Sequence, residues 1–259
     1  MTFSFMATGL TDPGLVRPRN EDSFLVSGAD GFLAVADGMG GHPSGDIASG
    51  LAIEAVAGTA PEAGSGSSEY GAEAMATDMA QRVVRADAAI QEGLREPEAP
   101  AGMGTTLTLL RVDGVHGRYA IGHVGDSRAY LLRDGALVQL TSDHTWVQRQ
   151  VDNGIIGHDV AKRHPLRHVL ERALMGGETP EVETSTGAIR AGDVFLLCTD
   201  GLTGMVADTE ILRLMLLGDP AGSSDPMASL DGIATALVDA AKAAGGRDNI
   251  TVVLGLVRE

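Results

Sequence analysis

Residues 131–138 read LLRDGALV, and this short stretch decides what kind of sheet the chain can form. The pair Asp134-Gly135 stands between two apolar runs, which is a strong signal of a β-hairpin. A hairpin pairs its strands antiparallel, whereas parallel strands need a crossover of a dozen residues or more. The surrounding chain is therefore expected to build antiparallel sheets.

Apolar runs rich in β-branched residues predict further strands on both sides of this hairpin. We expect strands near residues 3–10, 23–27, 32–36, 104–112, 117–124, 128–133, 136–141, 181–186, 193–199 and 249–257. Helical periodicity predicts helices near residues 43–59, 72–95, 143–153, 167–175, 207–217 and 226–244. Strands in runs and helices in sequential pairs indicate an α+β fold rather than an alternating parallel sheet.

Composition excludes several classes of protein. The chain has 259 residues, 44% hydrophobic and 21% charged, which suits one sizeable globular domain. Its net charge of −16 argues against nucleic acid or anionic membranes as partners, because both bind cationic surfaces. The lone Cys198 excludes an internal disulfide, and we find neither a secretory signal nor a stretch of about 20 apolar residues. We expect a cytoplasmic monomer.

Acidic residues recur beside glycine or at the ends of predicted strands. They lie in residues 20–22, 35–42, 124–128, 141–144, 198–201 and 247–249. One Asp-Gly pair is usually a plain turn. If several such aspartates converged, however, each pair about 4 Å apart would repel by about 4 kcal/mol. Convergence would require cations, and an all-oxygen ligand set favours Mg²⁺ or Mn²⁺ over zinc.

Two other chemistries fit the sequence poorly. The stretch GDSRA at residues 125–129 comes close to the Gly-x-Ser-x-Gly nucleophile elbow, but residues 129–132 continue as a strand where the elbow needs a helix. A Walker A loop is also missing, because neither Lys162 nor Lys242 follows a glycine-rich run.

Taken in order, the acidic motifs resemble those of the metal-dependent serine/threonine phosphatases of the protein phosphatase 2C family, compact bacterial type. The resemblance runs from about Gly14 to Val253. Its motifs are RPRNED at 17–22, DGMGGH at 37–42, GTT at 104–106, GDSR at 125–128, LTSDH at 140–144, CTDGL at 198–202 and GRDNIT at 246–251. The resemblance implies one catalytic domain over residues 1–259. Its fold would be a four-layer α-β-β-α sandwich of two antiparallel sheets flanked by helix pairs.

The resemblance also implies a metal site with two Mn²⁺ or Mg²⁺ ions in its core, and possibly a third. The implied ligands are Asp37, Gly38, Asp200, Asp248, Asp126, Asp22 and Glu21. Asp37 would bridge the two ions, and Gly38 would offer its carbonyl oxygen to one of them. Glu21 and Asp22 would act through metal-bound water or hold neighbouring groups.

The implied reaction is hydrolysis of phosphoserine and phosphothreonine on proteins by a metal-bridging hydroxide that attacks phosphorus. The chain would thereby reverse a bacterial serine/threonine kinase, so that phosphoproteins and such a kinase are its implied partners. Arg17 would clamp the phosphate, because a guanidinium donates two parallel hydrogen bonds to phosphate oxygens. His42 is the candidate proton donor to the departing oxygen.

The sequence departs from the family pattern in two places. Some members carry histidine directly after Asp-Gly, where this chain has Met39, so His42 can serve only if the glycine loop folds back. The family's third ion uses the aspartate of the GDSR motif, here Asp126, and a carboxylate four residues after Asp200. That position is Gly204 in this chain, which leaves Asp126 and Asp200 to bind a third ion.

Residues 143–180 resemble the family's variable flap, which would contact the protein substrate. The segment is the least acidic part of the chain, and its basic residues include His158, Lys162, Arg163, His164, Arg167 and His168. Two alternatives stay open. A catalytically silent phosphoprotein-binding module would be expected to lack the metal aspartates that this chain retains. A small-molecule phosphoesterase would differ only in the flap and surface.

Overall fold

The computed structural model describes residues 2–39, 45–57, 71–96 and 102–259, and in them two antiparallel sheets stack face to face. The first sheet has the strand order β1 (Ser4–Asp12), β11 (Ile250–Arg258), β10 (Val194–Cys198), β7 (Arg128–Arg133) and β8 (Ala136–Gln139). The second has the order β2 (Asp22–Ser27), β3 (Phe32–Met39), β5 (Leu107–Asp113), β6 (Arg118–Val124) and β9 (Glu183–Ala188). The short strand β4 (Gly104–Thr105) pairs with the end of β3.

The predicted hairpin is confirmed. Strand β7 pairs antiparallel with β8, with Leu131 opposite Val138. Asp134 and Gly135 have φ angles of 52° and 76°, so both central residues of the turn lie in the left-handed region. A two-residue turn of this kind matches the right-handed twist of the strands that it joins.

Helices cover the outer faces of both sheets. The second sheet is covered by α1 (Gly45–Ala57) and α2 (Ala72–Gly93). The first is covered by α6 (Asp208–Gly218) and α7 (Pro226–Ala243), with the single turn α5 (Asp200–Thr203) after β10. Two short helices, α3 (Trp146–Asp152) and α4 (His158–Ala161), lie in the segment that joins β8 to β9. Within the described ranges, no helix is both long and apolar enough to cross a bilayer.

Three hydrophobic layers separate the four layers of secondary structure. Val83 and Leu109 belong to the layer between α2 and the second sheet. Tyr119 and Phe195 meet edge to face between the sheets, with ring centroids 5.2 Å apart. Leu237 of α7 belongs to the outer layer of the first sheet. These layers confirm the predicted α-β-β-α sandwich.

Strand β10 shows how one short sequence serves two of these layers. Phe195 and Leu197 point between the sheets, whereas Leu196 and Cys198 point towards α6 and α7. Successive side chains of a strand alternate between its faces, so a strand buried on both faces reads as an unbroken apolar run.

The predicted helix at residues 167–175 is wrong. This part of the chain forms turns and two isolated bridges, Leu170 with Thr145 and Leu174 with Thr105. Leu174 and Thr105 exchange main-chain hydrogen bonds of 2.9 and 3.0 Å. Apolar residues at helical spacing suggested the helix, but distant main-chain partners take up the hydrogen-bonding groups, and tertiary context overrides propensity.

The end of the segment that joins β8 to β9 is fixed to α2 by a buried carboxylate. Asp87 is only 5% exposed, and its Oδ1 accepts the main-chain N–H groups of Met175 at 3.0 Å and Gly176 at 2.9 Å. Gly176 has a φ of 65°, and a Cβ there would lie 2.6 Å from the Gln91 main chain. A glycine is therefore needed where the segment meets the helix.

Leu197→Ala should lower the free energy of unfolding by about 3 kcal/mol, because it leaves a cavity between the sheets. Urea denaturation of this variant would be compared with Leu217→Ala. Leu217 is 70% exposed on α6, so its truncation should change the free energy of unfolding by less than about 0.5 kcal/mol. Equal losses in the two variants would contradict the packing described above.

Asp87→Ala should lower the free energy of unfolding by about 2 kcal/mol, because two buried N–H groups lose their acceptor. Amide hydrogen exchange at Met175 and Gly176 should accelerate in the same variant. The control is Asp239→Ala, which removes an exposed carboxylate from α7. Unchanged exchange at Met175 and Gly176 would show that Asp87 does not hold the segment.

Candidate active site

Chain segments from both sheets meet at one end of the sandwich and line a cavity of about 510 Å³. The predicted site residues that line it are Arg17, Glu21, Asp37, Gly38, Asp126, Asp200 and Asp248. Asp22 is buried opposite Asp37 on β2. His42 lies outside the described residues.

Strand pairing explains why these aspartates converge. Asp37 lies near the end of β3, and Asp126 lies in the turn between β6 and β7. Asp200 begins α5 directly after β10, and Asp248 stands just before β11. Antiparallel pairing places the end of one strand beside the start of its partner, so such positions share one edge of a sheet.

Asp22 has one carboxylate oxygen satisfied and the other unpaired. Its Oδ2 accepts hydrogen bonds from the hydroxyls of Thr199 at 2.8 Å and Thr251 at 2.6 Å. Its Oδ1 is buried and has no hydrogen-bond partner. Burial raises the pKa of this carboxyl to about 7, although both hydroxyl donors act to lower it. A buried oxygen of this kind calls for a cation or a water molecule.

The main chain of Asp37 is held on both sides by threonines. Its N–H donates to Thr106 Oγ1 at 3.0 Å, and its carbonyl accepts from the Thr106 N–H and from Thr105 Oγ1, both at 2.9 Å. Burial, with the nearby charges of Asp22 and Asp200, raises the pKa of the Asp37 carboxyl well above its usual value. The fold thus fixes this carboxyl where its charged form is disfavoured.

Asp126 is positioned by His144, which forms hydrogen bonds to the main chain of the preceding residue, Gly125. Gly125 donates its N–H to His144 Nδ1 at 3.1 Å, and the His144 N–H donates to the Gly125 carbonyl at 2.8 Å. Nδ1 is therefore the acceptor nitrogen, and Nε2 carries the proton towards Glu183 at 3.2 Å. Burial, and then the carboxylate of Asp200, raise the pKa of Asp126 to about 8.

Asn249 ties the loop before β2 to the start of β11. Its side-chain carbonyl accepts the Glu21 N–H at 2.8 Å, and its amide donates to the carbonyls of Pro13 at 3.0 Å and Arg19 at 2.8 Å. The Glu21 carbonyl accepts the Gly38 N–H at 3.1 Å. One amide side chain therefore sets the position of the loop that carries Glu21 beside Gly38.

Two basic side chains contact the carboxylates at the cavity mouth. Arg17 Nη2 donates to Asp248 Oδ2 at 2.7 Å, and the two side chains are 47% and 35% exposed. His168 Nδ1, from the segment between β8 and β9, lies 3.8 Å from Asp200 Oδ2. Both contacts lie at the entrance, where solvent reaches the site.

The cavity fits a hard divalent cation better than a zinc ion. Among the residues that the structure describes, no three histidine, cysteine or carboxylate side chains are arranged to hold one metal ion. An ion held jointly by Asp37, Asp200 and Asp248 would have to compete with Arg17 for Asp248. The donors are oxygens, Asp22 Oδ1 lacks a partner among the described residues, and burial together with neighbouring negative charges raises the pKa values of Asp37 and Asp126. Mg²⁺ suits such a site, since it takes few carboxylates and keeps several waters.

The sequence analysis missed the hydroxyls that hold Asp22. Thr199 and Thr251 are fully buried, and they lie on or beside strands that are otherwise apolar. A threonine inside a buried strand needs a hydrogen-bond partner, and that requirement is the signal that could have identified the pair. Asp87 gave no comparable signal, because it lies on a helix rich in charged residues.

Comparison with known proteins gives a consistent result. A family model described as Protein phosphatase 2C matches residues 18–217. The serine/threonine protein phosphatase PstP of Mycobacterium tuberculosis is 43% identical over 245 residues, which are 94% of this chain and 43% of that protein. The serine/threonine phosphatase stp of Listeria welshimeri is 34% identical over 247 residues, 94% of this chain and 92% of that protein. The chain thus spans less than half the length of PstP.

A solved structure agrees with these sequence matches. The catalytic domain of PstP in complex with 2 manganese ions superposes with a TM-score of 0.83 and 36% identity, over 100% of both chains. The family match covers well over half of this chain, and both relatives exceed 30% identity over nearly all of it. The chain belongs to the protein phosphatase 2C family.

Proposed function

We propose that this chain is a metal-dependent phosphatase that removes phosphate from phosphoserine and phosphothreonine on proteins. The observation that carries the proposal is the convergence of Asp37, Asp126, Asp200 and Asp248 from separate segments into one cavity. The names of PstP and stp as serine/threonine phosphatases support the substrate class. In a cell the chain would oppose a serine/threonine kinase.

Mn²⁺ or Mg²⁺ would be held at the floor of the cavity. Asp37, Asp200 and Asp248 would hold the ions through their carboxylates, and Gly38 would contribute its carbonyl oxygen. Glu21 and Asp22 would hold water in the ion shell, and Asp126 would bind a third ion with Asp200. When bound, the divalent ions lower the pKa of water and neutralise phosphate charge, which supplies a nucleophile at neutral pH.

The chain's own residues would hold the phosphate in one orientation. Arg17 stands at the cavity mouth, and its guanidinium can exchange the Asp248 carboxylate for two phosphate oxygens. Thr105 and Thr106 fix the Asp37 main chain, so that its carboxyl keeps one place during the reaction. His42, outside the described residues, is the proposed donor of a proton to the departing serine or threonine oxygen.

A single catalytic domain would span residues 1–259, with residues 143–180 as its flap. Arg167 and His168 of that segment line the cavity. A phosphoprotein bound at Arg17 would therefore contact the segment as well. The residues that select the substrate would thus lie in a different part of the chain from the aspartates that bind the metal.

Chelation of divalent cations should abolish hydrolysis of a phosphothreonine peptide, and Mn²⁺ should restore it. Mn²⁺ should also raise the melting temperature, since a ligand at 100 times its Kd stabilises the fold by about 2.7 kcal/mol. Asp37→Asn should lose both effects. Without metal, this variant should be no less stable than the wild type, because one of several repelling charges is gone.

Asp239→Asn, an exposed change on α7, is the control for these measurements and should behave as the wild type. Scanning calorimetry with and without Mn²⁺ measures the stability effect, and phosphate release measures the activity. Full turnover by the wild type in the presence of chelator would contradict the proposed function.

Arg17→Ala should raise the KM for a phosphopeptide at least about tenfold, the effect of losing charge-assisted hydrogen bonds to phosphate. Its Mn²⁺ affinity should be unchanged or higher, because Asp248 is released from its ion pair. Titration calorimetry measures the affinity, with the exposed Arg85→Ala on α2 as control. Weaker Mn²⁺ binding would assign Arg17 to the metal site instead.

A further inference from the structure

The catalytic cavity opens into a second groove of about 610 Å³. The groove runs between the segment that carries α3 and α4 on one side and the start of α6 on the other. The two spaces share the lining residues Asp126, Arg167, His168, Asp200, Gly204 and Met205. A peptide with its phosphorylated residue in the first space would therefore continue into the second.

Gly204 keeps the passage between the two spaces open. It stands at their boundary without a side chain, and a Cβ there would lie 2.9 Å from the Asp200 carbonyl oxygen. The position also lacks the carboxylate that the family pattern places four residues after Asp200. The boundary is therefore wider and less negative than a carboxylate would make it.

Two cationic side chains in the groove have no partner among the residues that the structure describes. Lys162 and Arg167 line it, and in the described part of the chain neither side chain forms an ion pair or a hydrogen bond. On the opposite wall Arg128 binds both oxygens of Asp143 at 2.8 and 2.7 Å and lies 3.8 Å from Asp208, so the charge of Asp143 is paired and that of Asp208 is only partly offset. Lys162 and Arg167 therefore form a local positive patch on one wall of the groove, and such a patch attracts anions.

We infer that this groove binds anionic side chains, carboxylate or phosphate, next to the residue that is dephosphorylated. The inference rests on the proposed function, since it names a preference of the same site. In a chain of net charge −16, an acidic substrate is repelled by most of the surface. Lys162 and Arg167 offset that repulsion where the substrate lies.

Binding of three labelled peptides to the Mn²⁺-loaded protein, followed by fluorescence anisotropy, tests the inference. Each peptide carries a non-hydrolysable phosphonate in place of phosphoserine, flanked by glutamines, by glutamates, or by a second phosphonate of the same kind. The anionic peptides should bind about fivefold more tightly than the glutamine peptide, and added salt should reduce the difference. Comparison of the two anionic peptides identifies which anion the groove prefers.

Charge reversal locates the effect in the groove. Lys162→Glu and Arg167→Glu should each remove most of the preference for the anionic peptides. Arg163→Glu makes the same change in the same segment, but Arg163 lines neither space, so this variant should keep the preference. Equal wild-type affinities for the three peptides, or a preference that survives both groove reversals, would overturn the inference.

Hydrolysis of the matching phosphoserine peptides separates this inference from the proposed function. If the wild type prefers the anionic phosphonates but hydrolyses none of the phosphopeptides, the groove is retained and the activity is refuted. If it hydrolyses the glutamine and glutamate peptides with equal kcat/KM and binds their phosphonates equally, the activity is retained and the groove is refuted.

Discussion

Mutual repulsion among buried carboxylates governs one end of this molecule. Asp37 and Asp126 have raised pKa values because burial and neighbouring negative charges disfavour their ionised forms. A fold relieves such strain by spreading the charges apart, by protonation, or by a cation placed between them. The main chain of Asp37 is held too firmly for the first, which leaves protonation or a cation to relieve the repulsion.

The rest of the sandwich serves as a frame for these charges. Hydroxyl and amide side chains on or beside buried strands hold the site, as Thr199 and Thr251 do for Asp22 and Asn249 does for the Glu21 loop. Such groups are useful because they bind a carboxylate or a carbonyl without adding a charge of their own. The packed layers fix the positions of these side chains, and the geometry of the cavity is fixed as a result.

The sequence predicted the parts of this arrangement that rest on local pattern. The hairpin at residues 131–138 follows from turn chemistry, and the two-sided burial of β10 follows from its unbroken apolar run. The helix predicted for residues 167–175 was wrong because the main chain there bonds to Thr105, His144 and Trp146, which are far away in sequence. The contact between Asp87 and Gly176 spans 89 positions, and no periodicity records it.

The features of the site likewise divide into those that local sequence pattern predicts and those that it does not. Glycine-flanked aspartates marked the cavity residues, since their motifs lie at strand ends that antiparallel pairing brings together. The unpaired Oδ1 of Asp22 and the ion pair of Arg17 with Asp248 depend on side-chain orientation, which sequence spacing does not specify. His42 remains a prediction.

The segment with α3 and α4 joins β8 to β9, and each of these strands is the outermost of its sheet. Insertions or deletions in this segment therefore leave every interior ladder of hydrogen bonds intact. Within the segment, the part around α3 and α4 is free to vary, whereas His144 and Leu174 near its two ends are tied to Gly125 and Thr105 beside the aspartates. Members of the family can therefore differ in this part of the segment while they keep the same fold.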